Sequence, residues 1–214
     1  MGFCSVTAQT QKSNSNDTIQ NSLKKNSLSM QFGIAANFSL QAFNDYSISV
    51  KYHISRKSAV RFGVGGNYSD KSGTTQNDTV TRDLFQYSYN YTFDLAFLFY
   101  LNPFSSVNIF FGTGPIYTRN FSKEKSSSYD NNTVYYNEIE TWGVGPKLVA
   151  GGEWFFLKKL SLFAEYEAYY SFGKYNRYSK ETTLSTGEFH NYNINQNVTL
   201  FKGNTARLGL SIYF

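Results

Sequence analysis

The chain has 214 residues, of which 41% are hydrophobic, 19% aromatic and 16% charged. That is apolar enough to fold, yet short of the ~25% charge of ordinary soluble domains. Mean hydropathy is −0.42 and no run of ~18 apolar residues occurs, which excludes a membrane protein built of helices. A lone cysteine, Cys4, rules out a disulfide scaffold, and with only two histidines, His53 and His190, neither a metal centre nor a cofactor is expected.

Residues 1–8 (MGFCSVTA) are too short for a secretory signal but resemble the end of one. Val6-Thr7-Ala8 fits the small-residue cleavage rule, so 1–8 read as a remnant and Gln9 as the first mature residue. Residues 9–27 lack periodicity and read as a flexible polar tail. From Leu28 to Phe214 a single β-barrel domain is expected.

Alternation of period two then recurs along the chain. The first strand sets Met30, Phe32, Ile34, Ala36, Phe38 and Leu40 on one face; the second sets Tyr46, Ile48, Val50, Tyr52 and Ile54. The third carries Val60, Phe62, Val64 and Tyr68, and the fourth is a long series from Phe85 to Leu101. The fifth (Val107–Thr118) is less regular, with Ile109 and Phe111 apolar; the sixth shows Trp142, Val144, Leu148, Ala150 and Trp154. The seventh has Leu162, Ala164, Tyr166, Ala168 and Tyr170, and the eighth Ala206, Leu208, Leu210, Ile212 and Phe214. In the eighth, Lys202 falls on the apolar face, which implies a bulge or a position above the membrane. Several strands exceed the ~9–11 residues that cross a bilayer, so part of the sheet should stand above the lipid.

The connections alternate in length. Residues 55–58, 102–106 and 157–160 are tight turns; 70–83, 120–137 and 173–198 are long and polar and are expected to form extracellular loops; only the first outer connection, Gln41 to Asp45, is short. This asymmetry is that of outer-membrane barrels. The second face of the strands is rich in Ser, Asn, Thr and Gly and poor in charge, so it should line the lumen while the aromatic face meets lipid. The lumenal charges are Lys51, Arg61, Lys147 and Arg207 against Asp94, Glu153, Glu165 and Glu167, which cancel. Strands four apart lie opposite in an eight-stranded barrel, pairing Lys51 with Glu153, Arg61 with Glu165 and Asp94 with Arg207. The net charge of +5 therefore rests on the turns (Arg56, Lys57, Lys158, Lys159) and tail (Lys12, Lys24, Lys25), with no basic stripe for nucleic acid.

The final residues, Arg207 to Phe214 (RLGLSIYF), resemble the C-terminal assembly signal of bacterial outer-membrane barrels, with Arg207, Gly209, Ile212 and Phe214 at its marked places. The stretch GPKLVAGGEWFFLKKLSLFAEYEAYY resembles the hairpin before the last strand in the OmpA/OmpX-type β-barrel domain family. That resemblance spans Leu28 to Phe214. It implies an all-β, eight-stranded antiparallel up-and-down transmembrane barrel with extended extracellular strands and loops. It also implies residence in the outer membrane of a Gram-negative-type bacterium, with outer-membrane lipids and, during biogenesis, the barrel-assembly machinery as partners.

The expected function is non-enzymatic: a structural or surface-display and adhesion role, with an extracellular ligand at loops 120–137 and 173–198 and a lumen plugged by its charges. The tyrosines of those segments, among them Tyr129, Tyr135, Tyr136, Tyr178 and Tyr192, suit a binding surface. Two alternatives remain. A lipid-modifying enzyme would need a Ser, a His and a carboxylate near the outer edge, with His190 as candidate since His53 lies by an inner turn. A narrow pore would need an unplugged interior.

Overall fold

A computed structural model describes residues 21–35, 46–77, 80–128 and 133–214. Eight strands follow in chain order: β1 (Leu28–Ala35), β2 (Tyr46–His53), β3 (Ser58–Asn77), β4 (Val80–Tyr100), β5 (Val107–Ser128), β6 (Thr133–Leu157), β7 (Leu160–Thr183) and β8 (Phe189–Tyr213). Each pairs antiparallel with the next, and β8 pairs with β1 from Ser29↔Tyr213 to Ala35↔Arg207, so the sheet closes into a barrel. Closure leaves β1 and β8 without a free edge over the paired residues Ser29 to Ala35.

Parity decides the two faces. Leu162, Phe97, Phe111, Phe62 and Leu148 point outward and are 46%, 48%, 49%, 50% and 63% exposed. Their neighbours along the same strands, among them Arg61, Asp94, Lys147, Glu153 and Glu165, are buried, as is Lys51 on β2. A soluble domain reverses this arrangement.

The outer halves correct one expectation. Segments 70–83, 120–137 and 173–198 are not long loops: β3–β8 run 20, 21, 22, 25, 24 and 25 residues. Their ladders continue to Asn77↔Val80, Ser128↔Thr133 and Thr182↔Phe189. The polar composition that reads as loop is equally that of a strand wetted on both faces. One outer turn is fully described, Leu184–Glu188, closed by Thr183 N–H donating to the Glu188 carbonyl, with Gly187 at φ +69°. That left-handed backbone is one that glycine adopts without penalty.

A register shift between Glu167 and Tyr169 separates the two regimes of β8. Below it Arg207 faces Glu165; above it Leu200 faces Ser171, so the parity of β8 inverts and Lys202 aligns with Tyr169. The sign that Lys202 gave in the sequence thus corresponds to a bulge-type irregularity in the ladder.

The segment before β1 gives a second correction. Residues 21–27, expected within the flexible tail, cross the inner mouth of the barrel. Asn21 donates to the carbonyls of Pro103 (2.8 Å) and Ser105 (2.7 Å), and Ser22 to that of Lys158 (2.5 Å). Asn26 N–H donates to the His53 carbonyl and His53 N–H to that of Ser27. Leu23 is 1% exposed, packed into the base of the lumen. Residues 1–8, the rest of the tail, the outer half of the expected first strand and Gln41–Asp45 lie outside the described residues.

Candidate functional site

The lumen is built in two storeys. In the lower one, Lys51 Nζ lies 2.8 Å from Glu153 Oε2 and 2.9 Å from the Tyr100 hydroxyl. Both Glu153 oxygens are used: Oε2 accepts from Lys51 and Tyr100 (3.2 Å), Oε1 from Ser161 (2.6 Å) and Tyr213 (2.8 Å). Lys51 and Glu153 are both 0% exposed. Taking two such charges out of water costs several kcal/mol each, which close pairing and full hydrogen bonding offset.

In the upper storey three cations share three carboxylates. Arg61 forks between Glu165 and Glu167, and Lys147 bridges Asp94 and Glu167 (3.0 Å). Arg207 approaches Glu167 (3.1 Å) and Glu165 (3.9 Å). All eight sequence-identified charges therefore meet inside the barrel. Lys51 meets Glu153 and Arg61 meets Glu165 across the lumen. The third pairing differs: Asp94 meets Lys147, and Arg207 turns to the β7 glutamates. Strand tilt staggers residues around a barrel, so strand order alone does not fix which opposite residue shares a height.

Glycine makes room for charged neighbours at Gly63, where a Cβ would stand 2.5 Å from Asp94 Oδ2, and at Gly151, where it would stand 2.9 Å from Glu165 Cβ. At Gly209 a Cβ would meet the Phe32 carbonyl and the Phe163 ring, and at Gly33 the Ser47 hydroxyl with that ring behind it. Sequence reading missed this second filling. Phe110, Phe155, Phe163, Tyr100 and Tyr213 point inward and are buried with Leu23 in the lower lumen. Strict alternation from Trp154 and Leu162 already assigns Phe155 and Phe163 to the inner face; the expectation of a polar lumen hid them.

The C-terminal signal residues spread over both faces of β8. Arg207 reaches into the lumen, Gly209 lies under Phe163, Ile212 faces Met30 and Leu160, and Phe214 is exposed with its N–H donating to the Leu28 carbonyl.

Above the lumen, Glu124, Tyr135, Arg177, Glu181, His190 and Tyr192 help line a cavity of about 540 Å³ between the outer halves of β5–β8. His190 is in strand β8, opposite Glu181, rather than in a loop. Arg177 Nε and the Ser179 hydroxyl both donate to Asn137 Oδ1. Among the described residues no hydrogen bond joins His190 to a serine or a carboxylate. On the outer face, Arg119 donates to Tyr91 and pairs with Glu140. Lys123 stacks over Tyr136 and is held above the usual lysine range, first by that phenol.

No family profile and no curated protein matches the chain. Solved structures do. A major outer membrane protein from Thermus thermophilus superposes with a TM-score of 0.58 at 17% identity, covering 88% of this chain and 99% of that one. The outer membrane protein OprG from Pseudomonas aeruginosa gives 0.49 at 9% identity, covering 92% and 99%. The N-terminal β-barrel domain of Pseudomonas aeruginosa OprF gives 0.42 at 13%, covering 89% and 98%. The first likeness establishes the fold, an eight-stranded barrel of the kind that outer membrane proteins adopt.

Proposed function

We propose that the chain is a non-enzymatic outer-membrane β-barrel of a Gram-negative-type bacterium, closed along its lumen, that holds a tall sheet above the lipid for surface contact. The observation that carries this reading is the inversion of polarity: large apolar side chains stand exposed around the barrel while Lys51, Arg61, Lys147 and Glu153 are buried within it. Lipid is the solvent that favours such an exterior. Outer-membrane lipids are then the standing partner, and the Arg207–Phe214 segment is read by the assembly machinery. The lumen is closed twice over, by the two-storey ion network and by the aromatic base under Leu23.

The test is fractionation with surface proteolysis of intact cells. The protein should co-sediment with outer membranes, and cleavage from outside should fall at the tips of the tall sheet. Recovery in the soluble fraction without detergent overturns the reading. For the non-enzymatic assignment, lipid hydrolysis by the wild type that is lost in His190→Ala would be the contrary result.

A further inference from the structure

The strap over the inner mouth carries charge that nothing beside it answers. Ser22 holds the β6–β7 turn through the Lys158 carbonyl, and Asn26 holds the end of β2 through the His53 carbonyl. Those two places lie on opposite walls, since the strands that carry them are joined across the lumen by Lys51–Glu153 and Arg61–Glu165. Residues 22–26 therefore run along a diameter of the mouth. Lys24–Ser27 closes a tight turn in which the Ser27 N–H and hydroxyl both donate to the Lys24 carbonyl, with Asn26 at φ 65°. The turn leaves Lys24 and Lys25 exposed.

A second exposed pair stands at each end of this diameter, Arg56 and Lys57 in the β2–β3 turn, Lys158 and Lys159 in the β6–β7 turn. The inner-end segments 21–27, 54–57, 101–106 and 157–159 contain no Asp or Glu. Among the described residues no carboxylate pairs with any of these six cations, and Arg56 lies instead 5.1 Å over the Phe104 ring. A strand spacing of ~4.8 Å and a tilt of ~40° give an eight-stranded barrel a diameter of ~16 Å, so the three pairs succeed one another at ~8 Å. That is within the screening length of physiological salt, so the pairs repel one another until an anion lies along them.

We infer that this track is a docking site for an extended acidic peptide segment of another envelope protein. Alternate side chains of an extended chain fall on one face every ~6.7 Å, so carboxylates at every second position come within lysine reach of all three pairs. Lipid headgroups fit less well: they ring the barrel and meet the two turns, whereas the strap pair stands ~8 Å inside that ring. Residues 1–20 of this chain bring no net negative charge, because Lys12 and Asp17 cancel. The inference rests on the proposed function only in turning this mouth toward the inside of the envelope.

The probe is a fluorescein-labelled synthetic peptide of alternating glutamate and serine, added to the full chain in zwitterionic detergent and read by anisotropy. A peptide of the same composition with its glutamates in one block is the control. Saturable, salt-sensitive binding of the alternating peptide, at least tenfold tighter than the block peptide, supports the track. Lys24→Ser/Lys25→Ser and Lys158→Ser/Lys159→Ser should each weaken it at least tenfold while keeping the folded gel mobility. No binding, equal binding of the two peptides, or binding that survives both double variants overturns the proposal. So does loss of peptide binding when phosphatidylglycerol is added to the micelles, because the cations would then belong to lipid headgroups. Tighter binding of soluble cell-wall muropeptides at the same residues overturns it too. Peptide binding by a protein that fails the fractionation test, or the reverse, separates this inference from the proposed function.

Discussion

Glu153 is the residue on which the lower lumen turns, because four donors converge on its two oxygens. Glu153→Gln should strand Lys51 as an unpaired buried cation and cost about 3–5 kcal/mol. Urea unfolding in lipid vesicles measures this, and Lys51→Met/Glu153→Leu should recover most of the loss, since an apolar pair of similar volume removes the stranded charge. An equal loss in the double variant would mean that packing, not charge, is at stake. The eight charges were legible in the sequence because parity alone assigns a face. Their partners were only partly legible. Lys51 and Glu153 meet as strand order implies, but Asp94 finds Lys147 because stagger and side-chain length, which periodicity does not encode, bring that ammonium nearer.

At the scale of elements, the lower strands were readable from alternation and the upper ones were not. Below the β7–β8 register shift one face is apolar and the other mostly small, polar or charged apart from its few inward aromatics, so period two is audible. Above it, runs such as Lys174-Tyr175-Asn176-Arg177-Tyr178 are mixed on both faces and resemble loop composition. Paired backbone resists proteases, so external digestion should cut at or near Leu184–Glu188 rather than throughout 173–198. Mass mapping of the fragments distinguishes the two patterns. The segment 21–27 was illegible for another reason: it holds by side chain-to-carbonyl bonds and a single apolar residue, neither of which has a period. Leu23→Ala should destabilise the barrel by about 2–5 kcal/mol, as for other buried leucines. A thermal shift of the folded gel band tests this, with Lys24→Ala, at an exposed neighbour, as the silent control.

For the whole molecule, the proposed closure of the lumen rests on the two storeys and the aromatic base. The expectation is no steady conductance in planar bilayers. Deleting residues 21–27 should not create one, because the ion network above remains. Large, stable channels from the intact protein would contradict the closed lumen. Fold class was legible from strand number, and some height above the lipid from strand length, whereas the continuation of the paired ladders through the expected loops emerged only from their registers.

Asn21 and Ser22 grip turns that follow them by 82, 84 and 136 residues. The full grip needs the β4–β5 and β6–β7 turns held side by side. This short strap must therefore wait while everything behind it is threaded, and then drop in like a keystone. A cross-link that catches Asn21 against Pro103 would report a finished barrel, and its absence would mark every intermediate that came before.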